Sequence, residues 1–226
     1  MDITGIDYLG LERVLRRGTG EILEQSENLL FIRDSVSRAY MLACEDAAEG
    51  RGALERHIDG KTDLLMVTDL SLGREAFQTY GFTGGIECYQ AAYYGPVPET
   101  DPSLQVRPAD ENDLDMLVRS YDHLSPEELA LIVKRRKLLL GYDGGELVGF
   151  VGEHLEGSIG LLHVFPPFRR RGFGEALEKI MIAETMCEGF VPFGQIVKDN
   201  EPSLRLQRKL GLVISERLSV WMWRPL

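Results

Sequence analysis

Cysteine and histidine are scarce in this 226-residue chain, with three of the first and four of the second. Cys44, Cys88 and Cys187 stand far apart, form no Cys-x-x-Cys pair and are odd in number, so they read as reduced thiols and exclude a disulfide framework. The histidines are equally scattered, which leaves no ligand spacing for a metal site. No apolar run approaches the roughly 20 residues of a membrane span. The N-terminus, "MDITGIDYLGLERVLRRG", has neither the basic start nor the apolar core of a secretory leader, so a cytoplasmic location is expected. Basic residues are in short supply too. Against 36 Asp and Glu there are 25 Lys and Arg, a net charge of -11, which argues against nucleic acid or an anionic membrane as partner. What remains is a chain with 44% hydrophobic and 27% charged residues, long enough for one large domain or two small ones.

The most regular part is the second half. Four prolines (Pro96, Pro98, Pro102 and Pro108) interrupt the stretch Tyr94–Asp113 and forbid a continuous helix there, so a linker is expected over 96–103, between lobes at 1–95 and 104–226. Beyond it, "LQVRPA" reads as a strand and "DENDLDMLVRSY" as a helix capped by Asp110. "SPEELALIVKRRK" reads as a helix with Ser125 as cap, Pro126 in the first position and Glu128 three residues on. Asp143-Gly144-Gly145 marks a hairpin, and "SIGLLHVF" is a strand apolar on both faces. A helix follows from near Gly172 to Gly189, then the strand "PFGQIV", the helix "EPSLRLQRKL" stopped by Gly211, and the strand "LSVWMW". This order predicts an α/β domain on a mixed sheet.

The first half repeats part of it. "MVTDLSLGREAFQTYGF" parallels "IVKDNEPSLRLQRKLGL": Asp69 and Asp199 are 130 residues apart, and so are Gly81 and Gly211. Upstream, "RAYMLACEDAAEGRGALERHI" mimics strand, glycine turn and helix, and downstream "IECYQAAYY" matches "LSVWMW". Self-similarity at a fixed offset predicts a duplicated fold.

Positive charge, rare overall, is concentrated in "LLHVFPPFRRRGFGEAL", where Arg169, Arg170 and Arg171 precede Gly172 and Gly174 at a helix start. Free N–H groups at a helix N-terminus bind anions, glycines let a ligand approach the backbone, and arginines add charge and forked hydrogen bonds. The run lacks the Gly-Lys-Ser/Thr of a Walker A loop and the third glycine of a dinucleotide fingerprint, since that position is Leu177.

Taken in order, "LQVRPADENDL", "VFPPFRRRGFGEAL" and "VKDNEPSLRLQRKLGL" resemble the GNAT superfamily of acyl-CoA-dependent N-acyltransferases over roughly 104–226. The family loop Arg/Gln-x-x-Gly-x-Gly/Ala is matched by Arg169, Gly172 and Gly174, the opening strand by Val106 to Ala109, and the later segment by Asn200, Ser203, Lys209 and Gly211. "DNEPSLRLQRKLG" is most similar to the glycine N-acyltransferase-like branch. The resemblance implies a mixed-sheet α/β fold, a tandem of a degenerate N-terminal lobe and a full C-terminal GNAT domain. It implies acetyl-CoA or another acyl-CoA as co-substrate, with the pyrophosphate held by Arg169, Arg170, Arg171, Gly172, Phe173 and Gly174. It also implies an oxyanion donor at the N–H of Val164 or Phe165, and contacts to the coenzyme arm from Asn200 and Ser203. The acceptor would be the amine of a small molecule or amino acid, in a monomer or homodimer. A weakly active acyl-CoA sensor and a peptide N-acetyltransferase are the alternatives.

The proton acceptor is left open between His163 and Glu153, with His154 and Glu156 nearby. A histidine titrates near neutrality and suits the task, but can equally pack on one face of a sheet. Many relatives place a tyrosine acid where this chain has Gln207, and a glutamine has no such proton to give.

Overall fold

A computed structural model describes residues 1–224. In chain order its helices and strands begin with α1 (Leu9–Arg16), β1 (Gly20–Gln25), β2 (Leu29–Asp34), β3 (Tyr40–Cys44), α2 (Ala47–His57), β4 (Leu64–Val67), α3 (Leu70–Thr79) and β5 (Gly84–Ala92). They continue with β6 (Gln105–Pro108), α4 (Leu114–Ser120), α5 (Pro126–Lys134), β7 (Leu138–Asp143), β8 (Glu146–Glu153) and β9 (Ile159–Val164). The last are α6 (Phe173–Cys187), β10 (Phe193–Val197), α7 (Glu201–Lys209) and β11 (Val213–Trp223). Among the described residues no helix is long and apolar enough to cross a membrane.

Two compact units are formed, one from 1–92 with 195–226 and one from 93–194. Sequence reading expected 195–226 to stay with the second lobe. These residues cluster instead with the first unit, because β11 inserts between β4 and β5 and pairs antiparallel with both. In the first unit β1, β2 and β3 form an antiparallel run, and β3 lies parallel to β4. Leu29, Phe31, Leu42, Leu65, Val67 and Leu72 pack one face, while Leu11, Val14, Ile32, Met41 and Met66 pack the other. Burying side chains of this size on both faces is the main stabilising contribution to such a sheet.

The internal repeat is visible as element order. Strand, helix, strand, helix, strand describes β3–α2–β4–α3–β5 and again β9–α6–β10–α7–β11. Both shorter helices end at a left-handed glycine, Gly81 with φ +67° and Gly211 with φ +82°. One expected feature is different. The glycine turn anticipated in "AAEGRGA" is helix: Gly50 and Gly52 lie inside α2, which starts at Ala47 directly after β3. Asp46 caps that helix, accepting from Ala48 N at 2.8 Å and Glu49 N at 3.0 Å. Gly50 is required by close packing, since a Cβ there would stand 2.7 Å from Cys44 Sγ and from Leu72.

The second unit is ordered β9–β8–β7–β6, antiparallel throughout, with Gly194 at the start of β10 pairing parallel with Ile159 of β9. Its local chemistry follows the sequence closely. Asp110 and Asp113 form a capping box on a short 3-10 turn ahead of α4, and Ser125 Oγ accepts from Glu128 N at 3.1 Å to start α5. Gly144 and Gly145 both have positive φ, as the two-residue hairpin between β7 and β8 demands.

Candidate functional site

Strand β9 is irregular at its centre. Between the pairs Gly152↔Gly160 and Phe150↔His163, two residues of β9, Leu161 and Leu162, stand opposite the single Val151 of β8, and Leu161 takes a left-handed φ of +50°. That is a β-bulge, a feature that re-aims side chains and ends pairing. On its other edge β9 meets β10 at one register pair, Gly194↔Ile159, so among the described residues the edge from the bulge to Val164 has no ladder partner there. Pro166 and Pro167 then begin a 3-10 turn that stops the strand.

The loop from Arg169 to Gly172 connects this strand to α6. Arg170 has φ +61° and Gly172 has φ +92°, and the left-handed Gly172 directly before the right-handed first turn of α6 turns successive N–H groups to one side, the geometry of an anion-binding concavity. No side chain caps α6, so the N–H groups of its first turn are not taken up by a cap. Nothing lies within 4 Å of the position a Cβ would take at Gly172. The N-terminal repeat has lost this arrangement: its strand and helix are joined by Glu45 and Asp46 alone, and the Asp46 carboxylate fills the N–H groups an anion would use.

The three arginines have different tasks. Arg169 Nε donates to Val164 O at 2.8 Å and ties the loop to the end of β9. Arg171 lies over the rings of Phe168 and Phe173, at 5.6 and 5.0 Å, and reaches Asp143 of the hairpin at 3.4 Å. Arg170 is exposed. Phe173 and Gly174 supply first-turn N–H groups, and a Cβ on Gly174 would sit 3.6 Å from Val164 Cγ2 and 3.9 Å from Leu162 Cδ2. Val164 and Leu162 therefore face α6.

The two expected oxyanion donors separate. Phe165 N already donates to Val148 O at 3.0 Å, so that amide is committed to the sheet. Strand alternation points the Val164 amide the opposite way, to the open edge. Of the two expected donors, only the Val164 amide faces that edge.

The proton acceptors separate too. His163 is half-buried on the face away from α6, stacked on Phe150 with centroids 5.2 Å apart and edge-on to Phe165 at 5.2 Å. Burial, then the Arg169 charge, lowers its pKa, so the ring is neutral near pH 7. Glu153 is 3% exposed and turned toward α6, accepting from Thr185 Oγ1 at 3.0 Å and paired with Lys137 at 3.3 Å. A carboxylate held beneath the helix by a hydroxyl and an ammonium is a structural anchor, which removes Glu153 from the His163 face. Asn200 and Ser203 belong to the first unit, where Asn200 Oδ1 accepts from Ser203 N at 3.2 Å and caps α7.

Sequence reading passed over Glu128 as a functional group. Burial, then the charge of Glu156, pushes its carboxyl up to about 7. Tyr121 is a second buried titratable group, and burial pushes its phenol up to about 12. Neither residue lies in a recognisable motif.

Comparison with known proteins bears on the fold. Residues 139–222, from β7 to β11, match the family model described as FR47-like protein. No curated protein sequence matches the chain. Among solved structures, a Drosophila protein superimposes with a TM-score of 0.70 at 19% identity, over 99% of this chain and 91% of its own. A GCN5-related N-acetyltransferase from Kribbella flavida gives 0.60 at 13% identity, covering 97% and 94%. A tandem GNAT protein from the clavulanic acid biosynthesis pathway gives 0.50 at 11%, covering 95% and 87%. The chain has the GNAT acetyltransferase fold, a mixed α/β architecture, with an FR47-like segment over residues 139–222.

Proposed function

We propose that the protein transfers an acyl group, acetyl in the first instance, from acyl-CoA to the amine of a small molecule or amino acid. The observation that carries this is the uncapped N-terminus of α6 behind the left-handed residues Arg170 and Gly172, at the end of a strand whose edge is open. A pyrophosphate fits there: N–H groups and the helix dipole favour an anion, and Gly172 leaves room for it against the backbone. The coenzyme supplies the activated thioester. Residues of this chain would hold its phosphates through the amides of Arg170 to Gly174, with the arginines of the loop as neighbouring charge, and would align its arm along the open edge of β9. There the Val164 amide is the donor for the charge that develops on the carbonyl oxygen. The sequence match at "DNEPSLRLQRKLG" supports an acceptor of the kind used by glycine N-acyltransferase-like enzymes.

Thiol release from acetyl-CoA with a panel of amines, free amino acids and short peptides tests the reading. Turnover with free amines or amino acids supports it. Binding without turnover on any acceptor would make the protein a sensor, and turnover on peptide N-termini alone would make it a peptide acetyltransferase.

A further inference from the structure

Strand β9 brings two polar groups into one peptide unit. The N–H of Val164, directed to the open edge, belongs to the peptide bond that joins Val164 to His163. Standard bond lengths therefore keep any nitrogen of the His163 ring within about 7 Å of that donor. The ring stands on the face away from α6, because strand alternation turns it opposite to Leu162 and Val164. Phe150 of β8 is its register partner, and the two rings stack with 12° between their planes and centroids 5.2 Å apart. One face of the imidazole is thus covered from the β8 side, and the other looks across β9 toward the edge that has no ladder partner among the described residues. Phe165 closes in edge-on at 5.2 Å from the strand end. The half-buried ring has neither a hydrogen-bond nor an ion-pair partner among the described residues. A phenylalanine would pack equally well there, so the two ring nitrogens are what a histidine adds.

We propose that His163 is the base of the transfer reaction, taking a proton from the acceptor amine as it attacks on the face of β9 turned away from α6. The inference rests on the acyl-transfer reading above. In the step, the lone pair of R–NH2 forms the N–C bond at the thioester carbonyl, and the carbonyl π pair moves to oxygen, held by the Val164 amide. The imidazole of His163 takes one proton from the nitrogen and becomes imidazolium. On collapse the C–S bond breaks, its electron pair leaves with sulfur, and the imidazolium proton ends on the thiolate. Amide, free thiol and neutral histidine result. Base and oxyanion donor lie on the two sides of one peptide bond, so a carbonyl whose oxygen meets the amide puts its carbon beside the ring.

The electrostatics agree with this role. Burial, then the Arg169 charge, holds the ring below the usual histidine range, so it is neutral near pH 7 and able to accept a proton. The groups around it come from three elements. The loop contributes Arg169, the one charge acting on the ring, and β8 contributes the uncharged Phe150. Behind Phe150 the segment after α4 brings Tyr121, edge-on at 6.0 Å, and His123, edge-on to Tyr121 at 5.1 Å. Burial pushes the Tyr121 phenol up to about 12, so it stays protonated throughout the range in which His163 titrates.

The test is kcat/KM for the amine against pH, at saturating acetyl-CoA, for the full chain, its His163→Phe and its Arg169→Gln, with acetyl-CoA binding measured in parallel by calorimetry. Wild type should lose activity as pH falls through a limb below 6.5, the ordinary histidine value. His163→Phe keeps a ring on Phe150. It should lose roughly 100- to 10,000-fold and the limb with it, while binding acetyl-CoA within about twofold of wild type. Arg169→Gln should move the limb to higher pH, because a positive charge that opposes protonation is gone. A His163→Phe enzyme that keeps the limb, with or without lower activity, overturns the assignment and leaves the acyl-transfer reading standing. If that variant fails to fold, an unmoved limb in Arg169→Gln overturns it. A wild type that acylates no amine overturns both.

Discussion

Replacing Glu128 with glutamine should stabilise the protein at alkaline pH. In the folded state burial, then Glu156, pushes this carboxyl from 4.5 to about 7. A raised acid pKa means the native state binds the proton more tightly than the unfolded chain does. The stability this contributes is fully present below about 4.5 and is lost as pH rises through about 7. At roughly 1.36 kcal/mol per pKa unit the full difference is about 3 kcal/mol, and partial solvent access to the side chain reduces it to roughly 1–2 kcal/mol. For a chain of this size that is a Tm difference of roughly 2–8 °C. Thermal unfolding followed by circular dichroism should therefore show Glu128→Gln melting above wild type at pH 8, with the gap closing at pH 4.5. A variant that melts below wild type at pH 8, or a gap that does not change with pH, would refute the reasoning.

Other outcomes follow from single contacts. Arg169→Ala removes both a loop charge and the tie to Val164 O, and should weaken acetyl-CoA binding roughly tenfold or more by calorimetry, with Tm little changed. Gly50→Val places a side chain against Cys44 Sγ and Leu72 in the first unit and should lower stability by roughly 1–3 kcal/mol, read as a lower Tm. Glu153→Gln breaks the pairing with Lys137 beneath α6, so it should lower Tm, read by circular dichroism, while leaving acetyl-CoA binding within about twofold of wild type.

Where the sequence was informative, the signal was local. Asp110, Ser125, the Gly144–Gly145 hairpin and the left-handed Gly211 are short-range chemistry, and each was readable from neighbouring residues. The arginine–glycine loop was readable for the same reason, since strand, arginines and glycines are consecutive. The insertion of β11 between β4 and β5 was not, because pairing partners far apart in the chain leave no local pattern. The glycines of "AAEGRGA" looked like a turn and are helix, kept small by Cys44 and Leu72 rather than by backbone conformation. Glu153 was misjudged although period-two alternation could have placed it: three residues from Phe150, it falls on the opposite face of β8. Glu128 was hidden in plain sight as the third residue of a helix cap. Its chemistry comes from burial beside Glu156, a tertiary effect that one-dimensional spacing does not encode.

The central claim is an acyl-CoA site at the junction of β9 and α6, and titration calorimetry of acetyl-CoA into wild type and Gly172→Glu tests it most directly. The substitution puts a carboxylate at the uncapped helix start, where an anion should bind. Saturable binding to wild type that is lost in Gly172→Glu, with a cooperative melt retained at a Tm lowered only by the strain of a side chain at φ +92°, is the predicted result. Equal affinity in both proteins, or no binding to wild type, would contradict the account.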